Sequence, residues 1–178
     1  MDYKKLFPIF ETHKELAYLD SAATNQKPEK VIKAIDEYNR KFNASPNRGS
    51  YGISVEATCQ YNQAKGKVAK FIGAKNTEII FVKSSTEGLN LLANSFSYEL
   101  TKEDNILIGI TSHHSNIVPW QEVRRRTGAE LRYIYLDKNG ELKYDDLESK
   151  LESNTKIVRF SHGVNATRIL KEKKKVVD

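Results

Sequence analysis

Apolar positions along the chain repeat with two periods, and the periods alternate. Behind Pro28, which suits a first helical turn, Val31, Ile32, Ile35, Tyr38 and Phe42 fall on one helical face. A second helix carries Ala57, Tyr61, Ala64, Val68, Phe71 and Ile72 and stops at Gly73, a residue type suited to the position after a helix end. Gly66 inside it is a local conflict, costing about 1 kcal/mol relative to alanine. Glu78–Val82 then reads as a strand, Thr86–Ser97 as a helix, Asn105–Ile110 as a strand and Asn116–Arg126 as a helix. Leu131–Leu136 is the next strand, closed by the turn Asp137-Lys138-Asn139-Gly140. Tyr144–Leu151 is a helix and Lys156–Phe160 a strand. Strands separated by helices require crossover connections. The expected class is therefore α/β, with a mainly parallel sheet and helices on both faces. Ligands of such sheets bind beyond the carboxyl ends of the strands, which singles out the loops starting at Lys83, Thr111 and Ser161.

Composition narrows the function without naming it. The 178 residues suit one domain with a real core, and 39% hydrophobic with 29% charged residues describes a globular rather than a disordered chain. No apolar run approaches the roughly 20 residues that span a bilayer. The start, MDYKKLFPIFETH, has no apolar signal region. The expected location is the cytoplasm, with no membrane partner. One cysteine, Cys59, excludes an internal disulfide, argues against a cysteine metal site, and is read as structural. The net charge of +6 gathers at Arg124–Arg126 and Lys171–Lys175. Without an aromatic platform or a nucleic-acid motif, this is read as a solvated helix face and a polar chain end, with no nucleic-acid partner.

Each of the three loops has two readings. Lys83-Ser84-Ser85-Thr86-Glu87-Gly88 leaves a strand and opens a helix, so its N–H groups and hydroxyls could cradle a phosphate. Ser84-x-x-Glu87 is equally a capping box. Thr111-Ser112-His113-His114-Ser115-Asn116 holds adjacent histidines, a poor metal pair. One of them could stack on a flat ligand, against a surface or capping role. Ser161-His162-Gly163-Val164-Asn165 places Asn165 where it could bond a ligand or simply make a turn.

Taken together, these segments resemble the cysteine desulfurase branch of the class V aminotransferase superfamily. Leu19-Asp20-Ser21-Ala22-Ala23 is similar to that family's opening strand, and Asn47-Arg48-Gly49 to its His-Arg-Gly. Ser85-Thr86-Glu87-Gly88-Leu89-Asn90 is similar to its phosphate loop. The run of eight from His113 to Trp120 is similar to its cofactor-stacking segment, and Ser161–Asn165 to its Thr-His-Val-Ser-Asn. The resemblance extends from about Leu16 to Asn165. It implies part of a fold-type-I pyridoxal-phosphate (PLP) large domain over residues 16–178, behind an N-terminal arm of residues 1–15. By position, Ser85 and Thr86 would hold the PLP phosphate, His113 would stack on the pyridine ring and Asn165 would bond its phenolic oxygen. Arg48, with Asn47, would lie at the substrate entrance and a dimer contact. The implied activity is PLP-dependent removal of sulfur from L-cysteine for iron–sulfur assembly, by a homodimer that serves a sulfur-acceptor protein.

The departures are as informative. The family's Schiff-base lysine, nucleophilic cysteine and carboxylate-binding arginine lie further along than Asp178, so a truncated and inactive form is expected. If Val176-Val177-Asp178 begins the family's next strand, Asp178 would be the pyridine-nitrogen partner. Ser84, Asn47 and Ser112 stand where the family has glycine, histidine and glutamate. The alternatives are a non-catalytic remnant, one half of a split protein with a C-terminal partner, or another class V enzyme such as a selenocysteine lyase.

Overall fold

A computed structural model of the chain describes residues 2–161. The chain divides at Phe81/Val82 into two compact units.

The first unit is helical. After a short turn of helix, α1 (Ile9–Thr12), come α2 (Glu29–Lys41) and α3 (Gly52–Ile72). Pro28 stands at the start of α2, and Arg40 and Lys41 in its last turn complement the helix dipole while pairing with Asp36 and Glu37, both at 2.7 Å. α3 ends at Gly73 with φ of 73°, a left-handed conformation that glycine adopts without steric cost. The periodic apolar faces form as expected but are only partly covered. Ser54, Ala57 and Ala69 of α3 are buried, whereas Val31, Ile32 and Ile35 of α2 and Phe71 and Ile72 of α3 are exposed. Cys59, read as structural, is exposed on α3 instead, its sulfur accepting a bond from Gln63 Nε2 at 3.3 Å.

Two expected strands do not form. Glu78–Val82 is the end of a single 3-10 turn, Asn76–Glu78, followed by extended chain without a ladder. Leu19–Ala23 likewise ends in a turn in which the N–H groups of Ala23 and Thr24 donate to the Asp20 carbonyl. Strand preference expresses itself through a neighbouring strand, and no described strand pairs with either segment.

The second unit is the α/β part. It runs α4 (Ser85–Phe96), β1 (Asn105–Gly109), α5 (Val118–Thr127), β2 (Glu130–Ile134), α6 (Tyr144–Lys150) and β3 (Thr155–Arg159). The three strands pair in parallel in the order β2-β1-β3. β1 is central and buried along its whole length, as its continuous apolar sequence requires. Its alternate side chains serve two cores. Ile106 and Ile108 pack with Ala93 of α4 and with Trp120 and Val123 of α5, while Leu107 packs with Ile134 and with Leu147 of α6. Helices thus cover both faces. The Arg124–Arg126 run lies exposed on the last turn of α5, with Arg125 paired to Glu122 at 2.7 Å, as a solvated face.

The uncovered apolar residues of α2 and α3 have a measurable consequence. We expect the polypeptide to self-associate as its concentration rises, because large exposed apolar patches are rare on stable monomers. Sedimentation velocity over a concentration series tests this, and a single monomeric species throughout would contradict it.

Candidate functional site

The expected phosphate loop opens α4. Ser84 caps the helix, its hydroxyl accepting from the Glu87 N–H at 3.2 Å. The Glu87 carboxylate reaches back to the Lys83 N–H. This is the capping box, with its return bond set one residue earlier than usual. The box therefore does not use up the groups that a cradle would need. The cap engages Ser84 and Glu87, and among the described residues no protein group bonds the hydroxyls and backbone N–H groups of the exposed Ser85 and Thr86. Four donors on the first turn of a 12-residue helix, at the positive end of its dipole, suit a phosphate.

The second loop follows the buried strand β1. The chain turns at Thr111–Ser112 and forms a 3-10 turn at His114–Asn116, where the Asn116 N–H donates to the His113 carbonyl at 2.7 Å. The His113 ring is exposed and held from one side. Its Nδ1 accepts the Ser115 N–H at 3.2 Å and lies 2.8 Å from the Ser115 hydroxyl. A nitrogen that accepts a backbone N–H carries a lone pair, so the neutral ring has its proton on Nε2. His114 is tilted beside it, with ring centroids 6.1 Å apart. Among the described residues no group of three metal-ligating side chains forms.

α4 packs against the His114–Asn116 turn and against α5. Ser85, Thr86 and His113 thus belong to two neighbouring segments of one compact unit. The two segments meet through α4 itself. Asn47 and Arg48 lie in the first unit. Asn47 has φ of 61°, and its N–H donates to the Thr58 hydroxyl at 2.8 Å, while Arg48 is exposed. Asn165 and Asp178 lie outside the described residues. So does the Lys171–Lys175 run.

Ser115, Asn116, Arg159 and Ser112, none of them assigned a ligand role from sequence, stand around this turn. Ser115 holds the His113 ring. Asn116 is buried, and Arg159 at the end of β3 donates through Nε to its Oδ1 at 3.3 Å. An arginine inside the apolar run Ile157-Val158-Arg159-Phe160 is a signal in the sequence, because a charge on a covered strand needs a reason. Ser112 is buried with a hydroxyl that has no partner among the described residues.

Comparison with known proteins agrees with this architecture. The family described as aminotransferase class-V matches residues 17–178. A protein named probable cysteine desulfurase from Halalkalibacterium halodurans is 41% identical over 99% of this chain and 45% of its own length. Another of that name from Treponema pallidum is 40% identical over 93% of this chain and 42% of its own. Among solved structures, the apo cysteine desulfurase of Thermococcus onnurineus NA1 superposes with a TM-score of 0.90 at 35% identity, covering 98% of this chain and 43% of that one. The Escherichia coli cysteine desulfurase CsdA gives 0.85 at 26% identity, covering 98% and 44%. The chain therefore spans less than half the length of the relatives it matches. Among the described residues no helix is long and apolar enough to cross a membrane. With an α/β fold built on a parallel sheet, and with the match running from residue 17 to residue 178, this chain belongs to the aminotransferase class-V family.

Proposed function

We propose that the first turn of α4 and the turn carrying His113 form the phosphate and ring platforms of a PLP site, and that the chain supplies this part of a cysteine desulfurase. The supporting observation is the division of labour on α4. Ser84 and Glu87 satisfy the helix cap, so Ser85 and Thr86 keep both their hydroxyls and their N–H groups for a ligand. Ser85 and Thr86 would hold the phosphate, and the exposed ring of His113 would lie against the pyridine. When bound, PLP supplies the electron sink for chemistry at the substrate's α-carbon. Arg48 and Asn47 are assigned to the substrate entrance. By resemblance, Asn165 would bond the ring's phenolic oxygen and Asp178 its nitrogen.

The substrate assigned to the complete site is L-cysteine, whose sulfur would pass to an acceptor protein for iron–sulfur assembly in the cytoplasm, with a homodimer as the working form. The lysine, cysteine and arginine that complete the family's site lie, by the same resemblance, on segments that this chain does not match. They would come from a C-terminal part of the fold.

The test is saturable binding of pyridoxine 5′-phosphate, which has no aldehyde to react with surface lysines, followed by calorimetry. Inorganic phosphate should compete. Thr86→Ala should weaken binding about three- to tenfold, the effect of one hydrogen bond to a charged group. Binding that is absent, or unchanged in both Thr86→Ala and Ser85→Ala, would overturn the assignment.

A further inference from the structure

Arg159 ends β3 among apolar neighbours and lies level with Ile108 of β1 in the parallel register. Its guanidinium carbon is 5.8 Å from the centre of the Trp120 ring, within cation–π range. Nε donates to Asn116 Oδ1 at 3.3 Å. Among the described residues no carboxylate pairs with it. The side chain is half-buried, and that burial pulls its pKa below the ordinary arginine value. The group is nonetheless charged at neutral pH. A partly desolvated cation without an anion costs stability unless its donors are used.

The use is visible in what Asn116 does next. Its side chain is buried and faces Arg159, while its backbone N–H closes the turn onto the His113 carbonyl at 2.7 Å. Ser115, between them, bonds Nδ1 of the His113 ring. A continuous path of hydrogen bonds and chain therefore links the end of β3 to the ring. The geometry points to Arg159 as a positioning residue: from β3 it anchors, through Asn116, the turn that presents His113 with its proton on Nε2. This deepens the reading of His113 as the ring platform, and its functional meaning rests on that reading.

The competing role is simple cover for the Trp120 ring. The two roles separate in the NMR of His113 in the ligand-free 178-residue chain, its signals assigned by their loss in His113→Gln. In the wild type the neutral form of the ring should be the tautomer with its proton on Nε2. Arg159→Met keeps an apolar chain over Trp120 but removes the donor. It should give a mixed tautomer pattern, with amide exchange at Ser115 and Asn116 faster by about tenfold, as for one charge-assisted hydrogen bond lost. Asn116→Leu should do the same from the other partner. Asn116→Asp keeps an acceptor for the guanidinium and should retain the wild-type pattern. If Arg159→Met does not fold, Arg159→Lys, which keeps charge but not the planar fork, takes its place beside Asn116→Leu. An unchanged His113 pattern in the folded Arg159 variant or in Asn116→Leu overturns the anchor. Titration of the wild type with pyridoxine 5′-phosphate is read separately. If it leaves His113 unmoved while the variants shift it, the platform reading fails and the anchor stands.

Discussion

Incubated with PLP, L-cysteine and a reductant, the 178-residue polypeptide should release neither sulfide nor alanine, even where it binds the cofactor's phosphate. Turnover needs a base placed at the substrate's α-proton and a thiolate placed at its sulfur. Placement is most of the effect: well-oriented groups reach effective molarities of about 10⁵–10⁸ M, which an unplaced lysine cannot match. Among the described residues most lysines lie on exposed helix faces and turns, where several are already paired, such as Lys33 with Glu29 and Lys41 with Glu37. Cys59 sits in the middle of α3, bonded to Gln63, in the unit that does not carry Ser85, Thr86 or His113. Binding and turnover should therefore separate. Sulfide and alanine are measured for the wild type and for Thr86→Ala. Clear turnover that Thr86→Ala abolishes would show that the chain's own residues suffice, and would refute this account.

The largest stability effect should come from Trp120→Ala. Trp120 is 1% exposed and packs with Ala93, Leu100, Ile106, Ile108, Val123, Ala129 and Leu131, so it joins α5 to the sheet and to the segment after α4. Emptying that space should cost about 3–5 kcal/mol, a large share of the roughly 5–15 kcal/mol that holds a domain folded. Trp120→Phe should cost much less, because the indole N–H has no acceptor among the described residues and its loss breaks no protein hydrogen bond. Urea unfolding followed by circular dichroism measures both. A Trp120→Ala cost below about 1 kcal/mol would mean that the α5–sheet contact is not the centre of this core.

The candidate site depends on the same contact. α5 begins directly after the His113 turn, and α4 packs on both. The apolar core thus sets where the two candidate platforms stand, while the polar residues decide what they can hold. The buried Asn105 illustrates how the opposite end of the sheet is fixed. It exchanges side-chain bonds with Asn154 and Thr155 at 2.9 Å, joining β1 to the start of β3 at the edge away from the site.

Much of this was legible in the sequence, because it is local. The periods of 3.6 and 2 located α2 to α6 and β1 to β3 to within a few residues, and Gly73 marked a helix end that the chain takes with positive φ. The Ser84–Glu87 box was readable because a capping box is a contact between near neighbours. The strand expected at Glu78–Val82 was misread for the converse reason: an apolar run becomes a strand only beside another strand, and that neighbour is not encoded in the run. Whether the cap and the cradle compete was also undecidable from residue types, since only the three-dimensional cap shows that Ser85 and Thr86 are left over. Arg159 and Asn116 are 43 residues apart, and no spacing rule connects them. Their meeting depends on β3 lying beside β1 and on Trp120 filling the layer above, which are properties of the packed sheet and not of any segment of the chain.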